Sequence, residues 1–158
     1  MIRQIKDSEI DLLKDFIYEA IFQRDENNLL PKSVIDNPDI KQYIEEFGKK
    51  DDLCLVAEVD GKIVGAVWTR ILDGELKGYG NIDSETPEIA ISLYKDYRNR
   101  GIGTKLMNEM LILLKAKGYK KTSLSVQKDN YASAMYKKLG FEVIKENDEE
   151  YIMVYNLN

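Results

Sequence analysis

The stretch from residue 88 to residue 105, EIAISLYKDYRNRGIGTK, constrains the fold more than any other part of the chain. It begins as an apolar segment typical of a β-strand, passes through a charged turn with two glycines, and continues into an apolar pattern typical of a helix. A strand, a glycine turn and a helix start in this order commonly hold phosphate, because the first N–H groups of a helix have no acceptor within the helix. The stretch therefore predicts an anion-binding turn at the start of a long helix.

The predicted turn is basic although the protein is acidic. Residues 95–105 contain four cations and one acid, a local charge of +3, whereas the whole chain carries a formal net charge of -5. Such a reversal of sign suits a polyanionic ligand. The pattern is neither a GxGxxG dinucleotide turn nor a GxxxxGK[ST] loop. The residues alone leave two interpretations open, a phosphate site and an ordinary helix start with solvated arginines.

Composition excludes several kinds of site. The chain contains no His and a single Cys, Cys54, which removes Cys/His metal sites, His general bases and internal disulfides. Cys54 falls inside an apolar strand pattern, which favours a buried structural thiol over a nucleophile. The acidic balance argues against nucleic-acid binding. Because the chain has neither a signal-peptide core nor an apolar run of about 20 residues, we expect no membrane association and a cytoplasmic location.

Hydrophobic periodicity and turn residues predict a single domain of mixed α/β layers spanning residues 1–158. The predicted order is strand, two helices, three strands, helix, strand, helix and two strands. Asp60 and Gly61 are a strong two-residue hairpin signal between the second and third strands. The expected elements are 2–6, a helix capped by Asp7 or Ser8, a helix from Pro38 to Gly48, 53–59, 62–71, 88–94, 101–117, 122–126, 131–139, 141–145 and 151–156.

Two motifs together resemble the signatures of the GNAT superfamily of N-acetyltransferases. The first is the turn RNRGIG at residues 98–103, which follows the strand pattern IAISL and precedes a long apolar helix. The second is LSVQKDNYASAMYKKLGF, which resembles the family's strand–Asn–helix–Tyr–Gly–Phe signature at Asn130, Tyr136, Gly140 and Phe141. The motifs occur in the family's order, and the predicted elements resemble its fold along nearly the whole chain.

The resemblance implies an α/β (α+β) fold with a mixed, mostly antiparallel central sheet and helices on both faces. It implies acetyl-CoA as co-substrate and no metal. Main-chain groups of residues 91–93 would bind the pantetheine arm and the acetyl carbonyl, where the family's strand bulges and splays from its neighbour. N–H groups of residues 98–104 would hold the pyrophosphate, and Asn130 would bond the cofactor arm. The implied cofactor-binding residues are Ile91, Ser92, Leu93, Arg98, Asn99, Arg100, Gly101, Ile102, Gly103, Thr104 and Asn130.

Acid–base chemistry adds candidate catalytic residues. An alkylamine with a pKa of about 10.4 is almost entirely protonated at neutral pH, so transfer to an amine gains from a base. Without His the base must be a carboxylate, and Glu88 is the best candidate because it opens the strand that leads to the acetyl site. A Glu88 side chain that points to solvent is the alternative, with Asp83 and Tyr79 in reserve. Tyr136, near the thioester sulfur, is the expected proton donor to the leaving thiolate, and a packed core tyrosine is the alternative.

The leading hypothesis is an N-acetyltransferase that moves an acetyl group from acetyl-CoA to a primary amine by direct, sequential transfer. A non-catalytic acyl-CoA-binding or sensing module of the same fold is the alternative. The acceptor is expected to be a small cationic amine or a peptide amine, because the connecting segments 22–47 and 72–87 are acidic. We expect no nucleic-acid or membrane partner, and the sequence leaves a homodimer open.

Overall fold

The computed structural model describes all of residues 1–158, and its elements follow the predicted order. The strands are β1 (Ile2–Gln4), β2 (Leu53–Val59), β3 (Lys62–Arg70), β4 (Glu88–Leu93), β5 (Lys121–Gln127), β6 (Glu142–Glu146) and β7 (Glu150–Asn156). The α-helices are α1 (Leu13–Ala20), α2 (Pro38–Lys41), α3 (Ile102–Ala116) and α4 (Ala132–Leu139). Short 3-10 helices span Asp7–Leu12, Lys32–Asp36 and Lys95–Tyr97.

All seven strands form one sheet in the order β1-β2-β3-β4-β5-β7-β6. Only β4 and β5 are parallel neighbours, and every other neighbouring pair is antiparallel. The expected mixed, mostly antiparallel sheet is therefore confirmed. None of the helices combines the length and the apolar character needed to cross a membrane.

Helices cover both faces of the sheet, as expected. On the face we call the α3 face, α3 and α4 pack on a core that includes Leu106, Met110 and Leu124. On the opposite face, the α1 face, α1 and the segment 38–47 pack on a core around Trp68. Each face therefore has its own apolar core, and the sheet separates them.

Alternation along the strands and helical spacing in α3 explain these two cores. Ile89 of β4 belongs to the α3 face, and its neighbour Ala90 packs on the α1 face, as the period of two in a strand requires. The buried side of α3 repeats at helical spacing. Its buried residues are Leu106, Met107, Met110, Leu111 and Leu114.

The predicted hairpin and the predicted structural thiol are both confirmed. Asp60 and Gly61 have φ values of 50° and 79°, the left-handed conformation that a tight type I′ hairpin needs at both positions. Cys54 lies in β2 and is 5% exposed. Burial, with a smaller contribution from Glu9, raises the pKa of its thiol to about 12, so the sulfur stays protonated and unreactive.

The two helical segments before β2 differ from the prediction. The chain from Asp7 to Leu12 is a 3-10 helix, and α1 begins only at Leu13. Neither Asp7 nor Ser8 caps it; the Glu9 carboxylate instead accepts the Lys6 N–H at 2.8 Å. The predicted second helix is α-helical only over Pro38–Lys41 and continues as turns to Glu46.

Hydrogen bonds from β3 explain why α2 stops early. Arg70 Nη1 donates to the carbonyls of Gln42 at 2.8 Å and Glu45 at 2.6 Å, and Trp68 Nε1 donates to the Tyr43 carbonyl at 3.0 Å. These carbonyls would serve internal bonds in a longer helix. The tertiary bonds replace them and hold segment 38–47 against the sheet.

Arg70 also forms the most deeply buried ion pair of the chain. Its Nε and Nη2 atoms each lie 3.0 Å from an oxygen of Asp52, and the two side chains are only 5% and 4% exposed. Removing one partner of a buried pair leaves the other charge without compensation, which is strongly destabilising. The pair therefore holds the Arg70 guanidinium in the position from which it bonds segment 38–47.

We predict that Asp52→Asn lowers the free energy of unfolding by about 3 kcal/mol, because Arg70 keeps its buried charge without a carboxylate. Asp73→Asn is the matched control, since it breaks the exposed Asp73–Lys77 pair and should cost less than about 1 kcal/mol. Urea unfolding of the three proteins measures both changes. Equal losses in the two variants would contradict the structural role assigned to the buried pair.

Candidate functional site

The site is built around a gap between β4 and β5. The two strands pair only at Glu88 and Ser123, where the Ser123 N–H and the Thr122 hydroxyl both donate to the Pro87 carbonyl, at 3.0 and 2.8 Å. Beyond this point β4 pairs with β3 alone. The strands therefore separate into a split that is closed at Glu88 and open at Leu93.

Main-chain groups of β4 face this split. The Tyr94 N–H donates to β3 at 2.9 Å, and in an antiparallel pair such bonds recur at every second residue. The N–H and C=O of Ile91 and the N–H of Leu93 consequently point away from β3, towards the split. The Ser92 hydroxyl donates to the Phe16 carbonyl of α1 at 2.6 Å, so its side chain serves packing.

The bulge expected in β4 is absent. The strand keeps continuous register with β3 from Glu88 to Leu93, and the register shifts of the sheet lie in β2–β3 and in β6–β7. Splaying from β5 is therefore sufficient to expose the main-chain groups of β4.

The predicted anion-binding turn lies at the open end of the split. Gly101 precedes α3 with φ 81° and Asn99 has φ 62°, and residues 99–104 donate no N–H to any protein acceptor. A Cβ on Gly103 would lie 3.5 Å from the Leu93 side chain, which places the helix start against the end of β4. Consecutive free N–H groups in such a turn form a concave anion-binding surface.

Arg98 does not belong to that set of donors. Its N–H donates to the Lys95 carbonyl at 3.2 Å, and its guanidinium bonds the Leu93 carbonyl at 3.1 Å and the Glu19 carboxylate at 3.0 Å. Arg98 thus ties α1 to the end of β4, and the free N–H groups begin one residue later than predicted. Arg100 is exposed, with its guanidinium 5.2 Å from the centroid of the Tyr97 ring.

Glu88 lies at the closed end of the split and is 4% exposed. The alternative in which it points to solvent is therefore wrong. Burial raises the pKa of its carboxyl to about 7, partly opposed by hydrogen bonds from Tyr43 and from the Gly80 N–H. No cation pairs with it, and its Oε1 atom has no hydrogen-bond partner. A buried carboxyl that titrates near neutrality is typical of general bases.

Residues that sequence reasoning did not single out surround Glu88. The Tyr43 hydroxyl donates to Oε2 at 2.5 Å, and the Gly80 N–H donates to the same oxygen at 3.1 Å. Oε1 faces Gly78, where an added Cβ would lie only 2.1 Å away. Of these, only the glycines at 78 and 80 gave a sequence signal, because a loop with repeated glycines often packs closely on a neighbouring backbone.

The reserve candidates for the base are less suited to that role. The Tyr79 hydroxyl donates to the Asp39 carboxylate, and burial, with that bond, raises its pKa to about 12. Asp83 is partly exposed. The net effect of its surroundings lowers its pKa: burial raises the pKa, but hydrogen bonds from Thr86 and Glu85 outweigh this. An acid with a lowered pKa is a weak proton acceptor.

Tyr136 lies on the α3 face, 8% exposed, with its ring 5.9 Å from that of Phe141. Its hydroxyl forms no hydrogen bond within the protein, yet the oxygen is not fully buried. Burial raises its pKa, which keeps the phenol protonated and able to donate. Glu88 shares the α1 face with Ala90 and Ser92, so these two candidates lie on opposite faces of the sheet.

Asn130 lies just before the start of α4. Its side-chain oxygen accepts the Ala132 N–H at 2.9 Å, and its amide nitrogen has no protein acceptor. Elsewhere no group of three or more His, Cys, Asp or Glu side chains is arranged to hold a metal ion.

We predict that Glu88→Gln alters how stability depends on pH. The folded carboxyl has a raised pKa of about 7 against an ordinary 4.5, so the unfolded chain loses its proton first and wild-type stability falls between these two values. Between pH 4.5 and pH 8 the wild type should lose about 3 kcal/mol more than the variant. Thermal or urea unfolding at both pH values measures this, with the exposed Glu142→Gln as control. The same pH dependence in all three proteins would refute the burial effect.

Comparisons with known proteins point to one family. The model of the acetyltransferase (GNAT) family matches residues 16–141. An N-alpha-acetyltransferase of Sulfurisphaera tokodaii is 32% identical over 107 residues, 65% of this chain and 64% of that protein. An acetyltransferase of Pectobacterium atrosepticum is 36% identical over 94 residues, 59% of this chain and 60% of that protein. In each case the match covers less than two thirds of the relative's own length.

Solved structures share the whole fold. The crystal structure of smu.2055 from Streptococcus mutans has a TM-score of 0.71 at 23% identity and covers 100% of this chain and 99% of its own. The PaiA N-acetyltransferase of Thermoplasma acidophilum, solved with coenzyme A, has a TM-score of 0.71 at 20% identity and covers 99% and 98%. Since the family match runs from α1 to Phe141 and includes both the turn before α3 and the segment around Tyr136, the chain belongs to the acetyltransferase (GNAT) family.

Proposed function

We propose that this protein is an N-acetyltransferase that moves an acetyl group from acetyl-CoA to a primary amine by direct transfer. The observation that carries the proposal is the split between β4 and β5, with the free N–H groups of residues 99–104 at its open end. An acyl-CoA has a pyrophosphate for such N–H groups and an amide-bearing arm for an unpaired strand edge. Family membership supports the same function.

Each part of the co-substrate has a complementary part of the chain. The N–H groups of residues 99–104 hold the pyrophosphate, with added charge from the exposed Arg100. Ile91 and Leu93 hold the arm along β4, and the free amide nitrogen of Asn130 bonds it from the other side. When bound, acetyl-CoA supplies an acyl group already activated as a thioester, so the chain needs no covalent intermediate.

Glu88 is the proposed base. Its pKa of about 7 lets the carboxylate hold a substantial negative charge at neutral pH and still accept a proton readily. Because the carboxyl is buried, the proton of the acceptor ammonium reaches it through a bridging water rather than bulk solvent. Glu88 acts from the α1 face, which also carries the two connecting segments expected to contact the acceptor.

Tyr136 is the proposed donor to the departing thiolate. A thiol has an ordinary pKa near 8.5, well below the raised pKa of this phenol. The phenol therefore keeps its proton and stabilises the thiolate by donating a hydrogen bond as the bond to sulfur breaks. Tyr136 acts from the α3 face. The base and the donor thereby approach a substrate in the split from opposite sides and do not neutralise one another.

A cationic acceptor fits the charges near Glu88. Asp39 lies beside Tyr79, and Glu150 of β7 is close enough to Glu88 and to Tyr79 to raise the pKa of both. These carboxylates attract an ammonium group and raise the local concentration of a cationic substrate. The S. tokodaii relative, named as an N-alpha-acetyltransferase, supports a peptide α-amine as one member of this class.

We predict that Arg100→Glu weakens coenzyme A binding about tenfold or more, because it places a like charge beside the pyrophosphate. Lys115→Glu is the matched control; it makes the same change of net charge at the exposed far end of α3 and should change the affinity less than about twofold. Titration calorimetry at low and high salt measures both. If the two variants bind alike, the turn before α3 is not the pyrophosphate site.

We predict that Glu88→Gln lowers kcat/KM by about 100-fold or more and that Tyr136→Phe lowers it at least about tenfold, while coenzyme A affinity stays within about twofold. Tyr155→Phe is the packing control, because Tyr155 stacks on the same Phe141 ring at 5.3 Å. Thiol release with a panel of amines and peptides is the assay, and double-reciprocal plots should show sequential kinetics.

Release of coenzyme A in a burst without acceptor would overturn direct transfer. Coenzyme A binding without turnover on any amine would favour the acyl-CoA-sensing alternative.

A further inference from the structure

We propose that Tyr43 is a positioning residue for the base, whose hydroxyl holds the Glu88 carboxylate in place through Oε2. The inference rests on the proposed function, because it assigns a partner to the Glu88 carboxylate. In the proton-transfer step an N–H bond of the acceptor ammonium breaks, its proton passes through a bridging water, and an O–H bond forms on the Glu88 carboxylate.

The two carboxylate oxygens of Glu88 have different surroundings. Oε2 accepts the Tyr43 hydroxyl at 2.5 Å and the Gly80 N–H at 3.1 Å. Oε1 has no hydrogen-bond partner, is fully buried and faces Gly78. Hydrogen-bond donors stabilise the ionised form of a carboxyl and lower its pKa. The bonds to Oε2 therefore hold the carboxylate in place, and loss of the Tyr43 bond should raise the Glu88 pKa.

Tyr43 is itself held by contacts with two residues, Tyr79 and Trp68. Its hydroxyl accepts the Tyr79 N–H at 2.8 Å, and its ring stacks on the Tyr79 ring at 6.3 Å and 12°. Its carbonyl accepts the Trp68 Nε1–H at 3.0 Å. The side chain is 7% exposed. These contacts come from β3 and from the loop before β4. Together they hold the Tyr43 hydroxyl in the orientation in which it donates to Glu88.

The groups on the neighbouring strands do not stabilise the ionised Glu88 carboxylate. On β3, Arg70 lies opposite Glu88 in register, but its guanidinium is bound to Asp52. On β7, Glu150 raises the Glu88 pKa. On β5, the Ser123 hydroxyl donates to the Gly80 carbonyl instead. The donors that stabilise the ionised carboxylate are therefore the Tyr43 hydroxyl and the Gly80 N–H alone.

The test compares Tyr43→Phe with Tyr119→Phe. Both remove a tyrosine hydroxyl that bonds a carboxylate, but the partner of Tyr119 is Asp51. The Glu88 pKa is measured by ¹³C NMR of the side-chain carboxyl, assigned by its loss in Glu88→Gln, and the pH profile of kcat/KM is recorded from about pH 5 to pH 9. In Tyr43→Phe we expect the pKa to rise by about one unit. We expect kcat/KM to fall about fivefold near pH 7 and to recover near pH 9, because the carboxyl is then ionised in both proteins.

The outcomes separate this inference from the proposed function. The positioning role is supported if the Glu88 pKa and the acidic limb of the kcat/KM profile both shift in Tyr43→Phe and neither of them shifts in Tyr119→Phe. An unshifted carboxyl titration in Tyr43→Phe overturns it, as does a loss of kcat/KM that is equal at every pH. If the wild type transfers no acetyl group to any amine, the proposed function fails, and the NMR titration still decides whether Tyr43 holds the Glu88 carboxylate.

Discussion

The parallel pairing of β4 with β5 stops after Glu88 and Ser123, and the arrangement of the site depends on that interruption. Unpaired main-chain groups inside a sheet are costly unless they meet water or a ligand. Here the closed end is held by bonds to the Pro87 carbonyl. Arg24, which follows α1, bonds Asp129 beyond the end of β5 at 2.5 Å in an exposed ion pair. The bonds at the closed end thus fix the point at which the pairing of the two strands stops.

Burial of Glu88 has opposing effects on stability and on chemistry. The low-dielectric surroundings that raise its pKa to about 7 also make its ionisation unfavourable for the folded state at neutral pH. Proteins commonly keep such destabilising groups only where the function requires them. The buried Arg70–Asp52 pair next to it holds segment 38–47, so a stabilising and a destabilising charge arrangement lie on neighbouring strands.

Sequence predicted the sheet elements and the turn before α3 well, because these depend on local signals. Alternation defines the strands, and a glycine with positive φ defines the start of α3. The extent of α2 was not predictable in this way, because Arg70 and Trp68 bond its carbonyls from β3. For the same reason Tyr43, which is 45 residues from Glu88 in the chain, gave no signal. The Arg98 N–H is not free because it donates within a short turn, and such a turn is too short for hydrophobic periodicity to predict.

The two glycines that border Glu88 divide the loop before β4 into a fixed part and a replaceable part. A Cβ on Gly78 would strike Oε1, and one on Gly80 would lie 2.7 Å from the β5 backbone, so residues 78–80 tolerate no change of shape. Residues 74–76 have no such contact: Gly74 has open space around it and Leu76 is 46% exposed. Insertions or grafts at this tip can therefore change the length of the loop without disturbing the carboxylate. A library of loop variants is best placed at residues 74–76, separated from Glu88 by the fixed part of the loop.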